Sequence, residues 1–415
     1  MRQSFIDQKW FQPFRKEAGF SFTDYFIGDK KRRAKEQKRF LAGDVENPEL
    51  DYPLLETFAI EKRETNLLAL REEILLSEPH PLIQEAYKRV IDERLSHLRM
   101  LKATRDRDDR AFDAMTIKEY GLPSERWLKH LVPHIKSLIK QAKASHHPGI
   151  ENSIGFLETL VSRLPAAKTS AIIPNFVPES DHFLSAKEIK KRFLLAFKRY
   201  GIKGWNVVID KDSPRAFIHI SQKDKKVVVP VSRTLSPQQL EALMLHEVGV
   251  HVRRNINAQK TNFQLLTTGL DHYLKGDEGL AKYEEARVFP PAMNASVRIY
   301  LGICLIKGLD GKKRNFREIF EIYRNYFYVY HFNRLDVEEE EANDRAWRRA
   351  VKFFRGTTGQ SRGICLTKDL YYLEGYAGIL ETLKKYPKEK NRFFCGKYDP
   401  ANPFHRELLD ALDIH

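Results

Sequence analysis

The stretch Leu243-Met244-Leu245-His246-Glu247-Val248-Gly249-Val250-His251-Val252-Arg253-Arg254 sets two histidines and a glutamate in an apolar run. The zinc-binding pattern H-E-x-x-H holds its histidines four residues apart, on one face of a helix. Here they are five apart. On a regular α-helix that spacing sends the two imidazoles well round the cylinder from each other. One inserted residue, taken up as a π-bulge, brings i and i+5 back to one side, and such bulges favour functional sites. Gly249 lies between the histidines, where a backbone distortion is easiest. HEVGVH is therefore a workable zinc pair, with Glu247 placed as the general base. On the hexapeptide alone, two ordinary surface or core histidines are the competing reading.

The flanking sequence favours the metal. Ser236-Pro237-Gln238-Gln239 opens the helix that carries the stretch: Ser caps, Pro takes the first turn and Gln239 completes a capping box. Residues 205–210 (WNVVID) read as a strand, and residues 215–221 and 227–231 as a short β-hairpin. Pro230 suggests an edge position. Zinc proteases hold extended substrates against such an edge. A catalytic zinc takes three protein ligands and leaves a fourth place open. The third candidate is Glu278, in the first turn of the helix that follows (GDEGLA, residues 276–281), with Glu284 and Glu285 as rivals.

Other features bound the whole. The chain has 415 residues, 42% of them hydrophobic, which is enough for a folded core. Helical periodicity runs from about residue 54, breaks at Pro79-His80-Pro81 and resumes, which predicts a helical hairpin. Further helices are expected at 124–144, 185–200, 279–306, 315–330 and 337–354. A Pro-rich stretch, 164–183, marks a boundary between a helical N-terminal region (1–165) and a catalytic region (166–415). Net charge is +15, so acidic partners are favoured over basic ones. The basic run at 29–40 reads first as a solvated helix face. Three scattered cysteines exclude a cysteine-rich zinc module and suit reduced thiols in a cytoplasmic protein. No stretch resembles a signal peptide or a membrane span, so no membrane partner is expected.

Taken together, HEVGVH, GLDHYLKGDEGLAKYEE, AVKFFRG and CLTKDLYYLEG resemble one metallopeptidase family, which includes the vertebrate tubulin-tyrosine carboxypeptidases called MATCAP and bacterial proteins named for a QEGLA motif. The likeness spans about residues 39–377, including FLAGDVENPELDYP. It implies an α+β, mostly helical fold with a zincin-like core: a small antiparallel sheet, active-site helices and one zinc per chain. The implied ligands are His246, His251 and Glu278, with Glu247 as general base. The implied reaction removes a C-terminal residue, tyrosine or another aromatic, from a protein or peptide. One departure is visible: Asp277 stands where the bacterial motif has glutamine. Tubulin specificity does not follow, because bacterial relatives meet no tubulin.

A carboxypeptidase must also grip a terminal carboxylate, usually with arginine or lysine. Arg355 and Lys368 are the candidates for substrate binding, and Arg253 and Arg254 follow the second histidine. Tyr371 or Tyr372 could donate to an oxyanion, and His272 could support a ligand. The rival class is a basic binding protein for nucleic acid or acidic protein tails, with a purely structural zinc. No nucleic-acid motif supports it, so no specific nucleic-acid partner is expected.

Overall fold

Two capped serines start the helices that frame the HEVGVH segment. In the computed structural model, which describes residues 5–147, 149–167, 173–178, 183–211, 218–221, 224–332 and 339–415, Ser185 caps helix α1 (Ala186–Arg199) in a box with Glu188. Ser236 caps α2 (Pro237–Met244) in a box with Gln239. A box satisfies two of the backbone donors that a helix start leaves open. Ser236 is fully buried, so the loss of its hydroxyl is not repaired by water. Ser236→Ala should lower the unfolding free energy by about 0.5–2 kcal/mol, read as a lower denaturant midpoint with an unchanged slope.

Between these helices lie β1 (Asn206–Asp210), β2 (His219–Ser221) and β3 (Lys226–Pro230). Their order is β1-β3-β2. β2 and β3 form the expected antiparallel pair, with Ile220 opposite Val227. β1 runs parallel to β3, with Val207 opposite Val227. The sheet is therefore mixed, not antiparallel as expected. β3 is also its central strand, which corrects the edge position read from Pro230. The proline is tolerated because it is the last residue of the strand: among the described residues β2 pairs no further than Val228, and the ladder to β1 resumes at Val231, whose N–H donates to the Asp210 carbonyl at 2.9 Å. Of the predicted hairpin, residues 215–217 and 222–223 lie outside the described residues.

The chain forms two compact units that interleave in sequence. The first combines Met1–Gln12, Val177–Ala295 and Tyr371–His415; the second combines Pro13–Phe176 and Ser296–Leu370. The second unit is helical. Its predicted hairpin is Ile60–Ser77 followed by Pro81–Arg105, and Leu67, Ile74, Val90, Ile91 and Leu98 are fully buried. The first unit holds the mixed sheet, α1, α2, α3 (Arg253–Ala258), α4 (Tyr273–Val288), α5 (Tyr371–Lys385) and α6 (Pro403–Ala411). The helix expected over 279–306 is broken. α4 ends at Val288, Pro290–Ala292 form a 3-10 turn, and Met293–Lys307 begins a new helix. Pro290 and Pro291 cause the break, since neither can donate to the helical ladder and each ring clashes with the preceding turn. Mostly helical with a small mixed sheet, the architecture is α+β. Among the described residues no helix is long and apolar enough to cross a membrane, and all three cysteines are buried and none is in a disulfide.

Candidate metal centre

Leu245–Val252 is a π-helix, continuous with α2 before it and α3 after it. On an α-helix, five residues would rotate His251 about 140° away from His246. The wider π turn cancels most of that rotation, and the two ring centroids lie 4.8 Å apart, edge to face. Packing on both sides sustains the distortion. Val248 and Val252 enter an apolar cluster with Val207, Val227 and Phe193 from the sheet and α1. Val250 enters another with Leu280, Ala281 and Ile379 from α4 and α5. Each buried valine contributes about 1.5–3 kcal/mol, which outweighs the poorer backbone geometry. Gly249 has a packing reason as well: a Cβ there would stand 3.2 Å from the Tyr200 hydroxyl.

Helix α4 faces this π-helix and supplies four charged side chains. The donor atoms of His246, His251 and Glu278 lie within 4.8 Å of one another. Glu278 Oε2 is 3.6 Å from His246 Nε2 and 4.0 Å from His251 Nε2. Two donors on a tetrahedral zinc lie about 3.3–3.4 Å apart, given ligand bonds of about 2.0–2.1 Å. The triangle is thus slightly wider than a loaded site. Glu278 Oε2 is buried and takes no hydrogen bond from a described residue. A buried carboxylate oxygen without a partner costs several kcal/mol of lost solvation, and a cation between the two Nε2 atoms would satisfy it. Glu247 is half-buried and makes no hydrogen bond or ion pair with a described residue, so its carboxylate is available to a substrate.

The opposite edge of each imidazole faces a carboxylate. His251 Nδ1 donates to Asp277 Oδ2 at 2.6 Å. Arg254, completely buried, donates to Asp277 Oδ1 at 2.7 Å and to the Tyr398 carbonyl at 2.6 Å. Burial alone would depress the His251 pKa, but the adjacent Asp277 carboxylate overrides it and lifts the group to about 9. Burial likewise opposes charge on Asp277, and His251 and Arg254 hold it well below the usual carboxylate range. His246 Nδ1 sits 3.4 Å from Glu285 Oε2. Glu285 bonds in turn to Lys282, and against the cost of burial Lys282 and His246 lower its pKa to about 2. Of the rivals to Glu278, Glu285 therefore faces the far side of His246, and Glu284 pairs with Arg287 at 2.8 Å. Asp277, Arg254, Lys282 and Glu285 were not legible as a set, because their roles depend on how α4 lies against the π-helix.

The remaining candidates are not part of the donor triangle. Arg355 and Lys368 belong to the second unit. There Arg355 pairs with the buried Asp369 at 2.9 Å, beside Lys352 at 3.2 Å from the same carboxylate. Lys368 adds a further positive charge to that carboxylate's surroundings. Arg253 stacks its guanidinium 3.9 Å from the Phe394 ring centroid. His272, at the start of α4, lies 3.1 Å through Nδ1 from the Tyr371 hydroxyl. Tyr371 is thereby engaged, while half-buried Tyr372 lies along Lys282, with 5.9 Å between ring centroid and ammonium.

Residues 160–403, more than half of the chain, match the family model described as microtubule-associated tyrosine carboxypeptidase, MATCAP. The chain belongs to the MATCAP family. The match contains His246, Glu247, His251 and Glu278, and Arg355 and Lys368 as well. It begins after the FLAGDVENPELDYP segment. Membership in MATCAP supports a peptidase of the carboxypeptidase type. A comparison with curated proteins returns no match.

Proposed function

We propose that this MATCAP member is a zinc-dependent carboxypeptidase with a zincin-like active site, working in the cytoplasm. The observation that carries the reading is the donor triangle of His246 and His251 on a π-helix with Glu278 of α4, whose buried oxygen takes no hydrogen bond from a described residue. Two imidazoles and one carboxylate are a donor set typical of catalytic zinc. His246 and His251 would bind through Nε2 and Glu278 through Oε2. When bound, zinc supplies Lewis acidity to a substrate carbonyl and to the attacking water.

The chain's own groups do the rest. Glu247, next to His246 and without a hydrogen bond or ion pair to a described residue, takes the proton from the water and passes it to the leaving amine. The scissile bond is the last peptide bond of a protein or peptide, and the family description points to a terminal tyrosine. The positive net charge favours an acidic tail upstream of the cleaved residue.

Elemental analysis of purified protein tests the metal. Wild type should carry about one zinc per chain, and His246→Ala should carry almost none, because two remaining donors bind far more weakly than three. Wild type that stays free of zinc after incubation with the metal would overturn the proposal.

A further inference from the structure

We infer that Asp277, braced by Arg254, is a positioning residue that orients His251 toward the metal and sets how tightly zinc is held. This rests on the zinc reading above and goes beyond it, because Asp277 is not a ligand.

Consider the geometry from the inside outward. Arg254 is fully buried and Asp277 nearly so. Burying two charges is expensive, and a pair survives there only if it is well bonded. Arg254 meets that demand with two short bonds, one to Asp277 and one to the Tyr398 backbone, and its guanidinium lies 5.1 Å from the Tyr398 ring centroid. The Tyr398 hydroxyl donates to Glu389 at 2.8 Å, and Glu389 is clamped by Arg392. Asp277 is thus held from below by a rigid buried chain, and its second oxygen is directed at His251 Nδ1.

A carboxylate can only accept, so Nδ1 must carry the hydrogen. Nε2, 4.0 Å from Glu278 Oε2, is then the nitrogen left to bind the metal. Outer carboxylates of this kind fix the tautomer and ring orientation of a ligating histidine and raise its basicity; losing one typically weakens metal binding 10–100-fold. The arrangement also explains why an acid next to the third ligand does not compete for the metal. Consecutive residues on a helix diverge by about 100°, so Glu278 reaches the Nε2 side of His251 while Asp277 reaches the Nδ1 side.

The test uses the full chain. Zinc dissociation constants are measured by competition with a chromophoric chelator for wild type, Asp277→Asn and a control, Asp271→Asn. Asp271 is also a buried acid paired with a histidine, His405 Nε2 at 3.0 Å, and that histidine is not one of the three donors. Asp277→Asn should weaken zinc binding 10–100-fold and alter the visible spectrum of the cobalt-substituted protein, while Asp271→Asn keeps the wild-type affinity. Unchanged affinity in Asp277→Asn, or equal losses in both variants, would overturn the inference and leave the zinc reading standing. Wild type without zinc would sink both, and is recognised separately. If Asp277→Asn does not fold, nitrogen-15 NMR of histidine-labelled wild type with zinc decides instead. A His251 protonated at Nδ1 and metallated at Nε2 supports the role; metallation at Nδ1 refutes it.

Discussion

Glu247→Gln should lower kcat on peptides ending in tyrosine by about 10²–10⁴-fold while the protein keeps its zinc. The two halves of that result come from separate observations. Glu247 is not part of the donor triangle, so removing its charge leaves His246, His251 and Glu278 in place. The amide is nearly isosteric with the carboxylate, and no bond to a described residue is lost, so the fold should hold. What disappears is the capacity to take a proton from water and return it to the amine. The measurement is a kcat and KM pair with zinc content determined on the same samples. A fall in kcat with KM and zinc unchanged would place Glu247 in the chemical step. A variant as fast as wild type would remove it from the mechanism, and loss of zinc would show that it acts on the site's assembly.

The backbone of this segment was readable from sequence because it is local. His246, Glu247 and His251 lie within six residues, and their spacing alone calls for a π turn, which the backbone adopts. Capping boxes are local too, and both Ser185 and Ser236 make them. Pairing across longer separations was less legible. Nothing in WNVVID or VVVPV specifies that β1 joins β3 in parallel, since both are short, β-branched runs; the crossover is set by how Val207, Val227 and Phe193 fill one cluster. The division into units likewise has no local sign, because Ser296–Leu370 joins the second unit by packing alone. Pro290-Pro291 was a readable break, hidden by the apolar periodicity on either side of it. The supports of the candidate metal centre were the least legible: Tyr398 is more than a hundred residues in sequence from both Arg254 and Asp277, and the three meet only in the fold.

Gly375→Ala should cost about 1–3 kcal/mol of stability or more and also reduce the zinc bound per chain, although Gly375 touches no candidate ligand. The reason is the crossing of α4 and α5. A Cβ on Gly375 would lie 2.0 Å from the Lys275 carbonyl, and one on Gly279 would lie 2.3 Å from the Gly375 carbonyl carbon. These are backbone atoms, which cannot rotate away, so an added methyl must push the helices apart. α4 carries Glu278 directly beside Gly279, with Asp277 and Glu285 on the same helix behind His251 and His246. Moving α4 by even part of an ångström therefore disturbs the third donor and both outer carboxylates together. That is a physical reason for glycine in the GDEGLA and YYLEG segments: it lets one helix approach another closely enough to bring Glu278 to the candidate metal site. Gly378→Ala is the control, because a Cβ there meets only the Ala401 Cβ at 3.3 Å, and alanine is the better helix former by about 0.5–1 kcal/mol. Denaturant midpoints and zinc content of the two variants separate the cases. Gly375→Ala matching Gly378→Ala in both would show that the contact between α4 and α5 is slack, and that α4 is positioned by its apolar face alone.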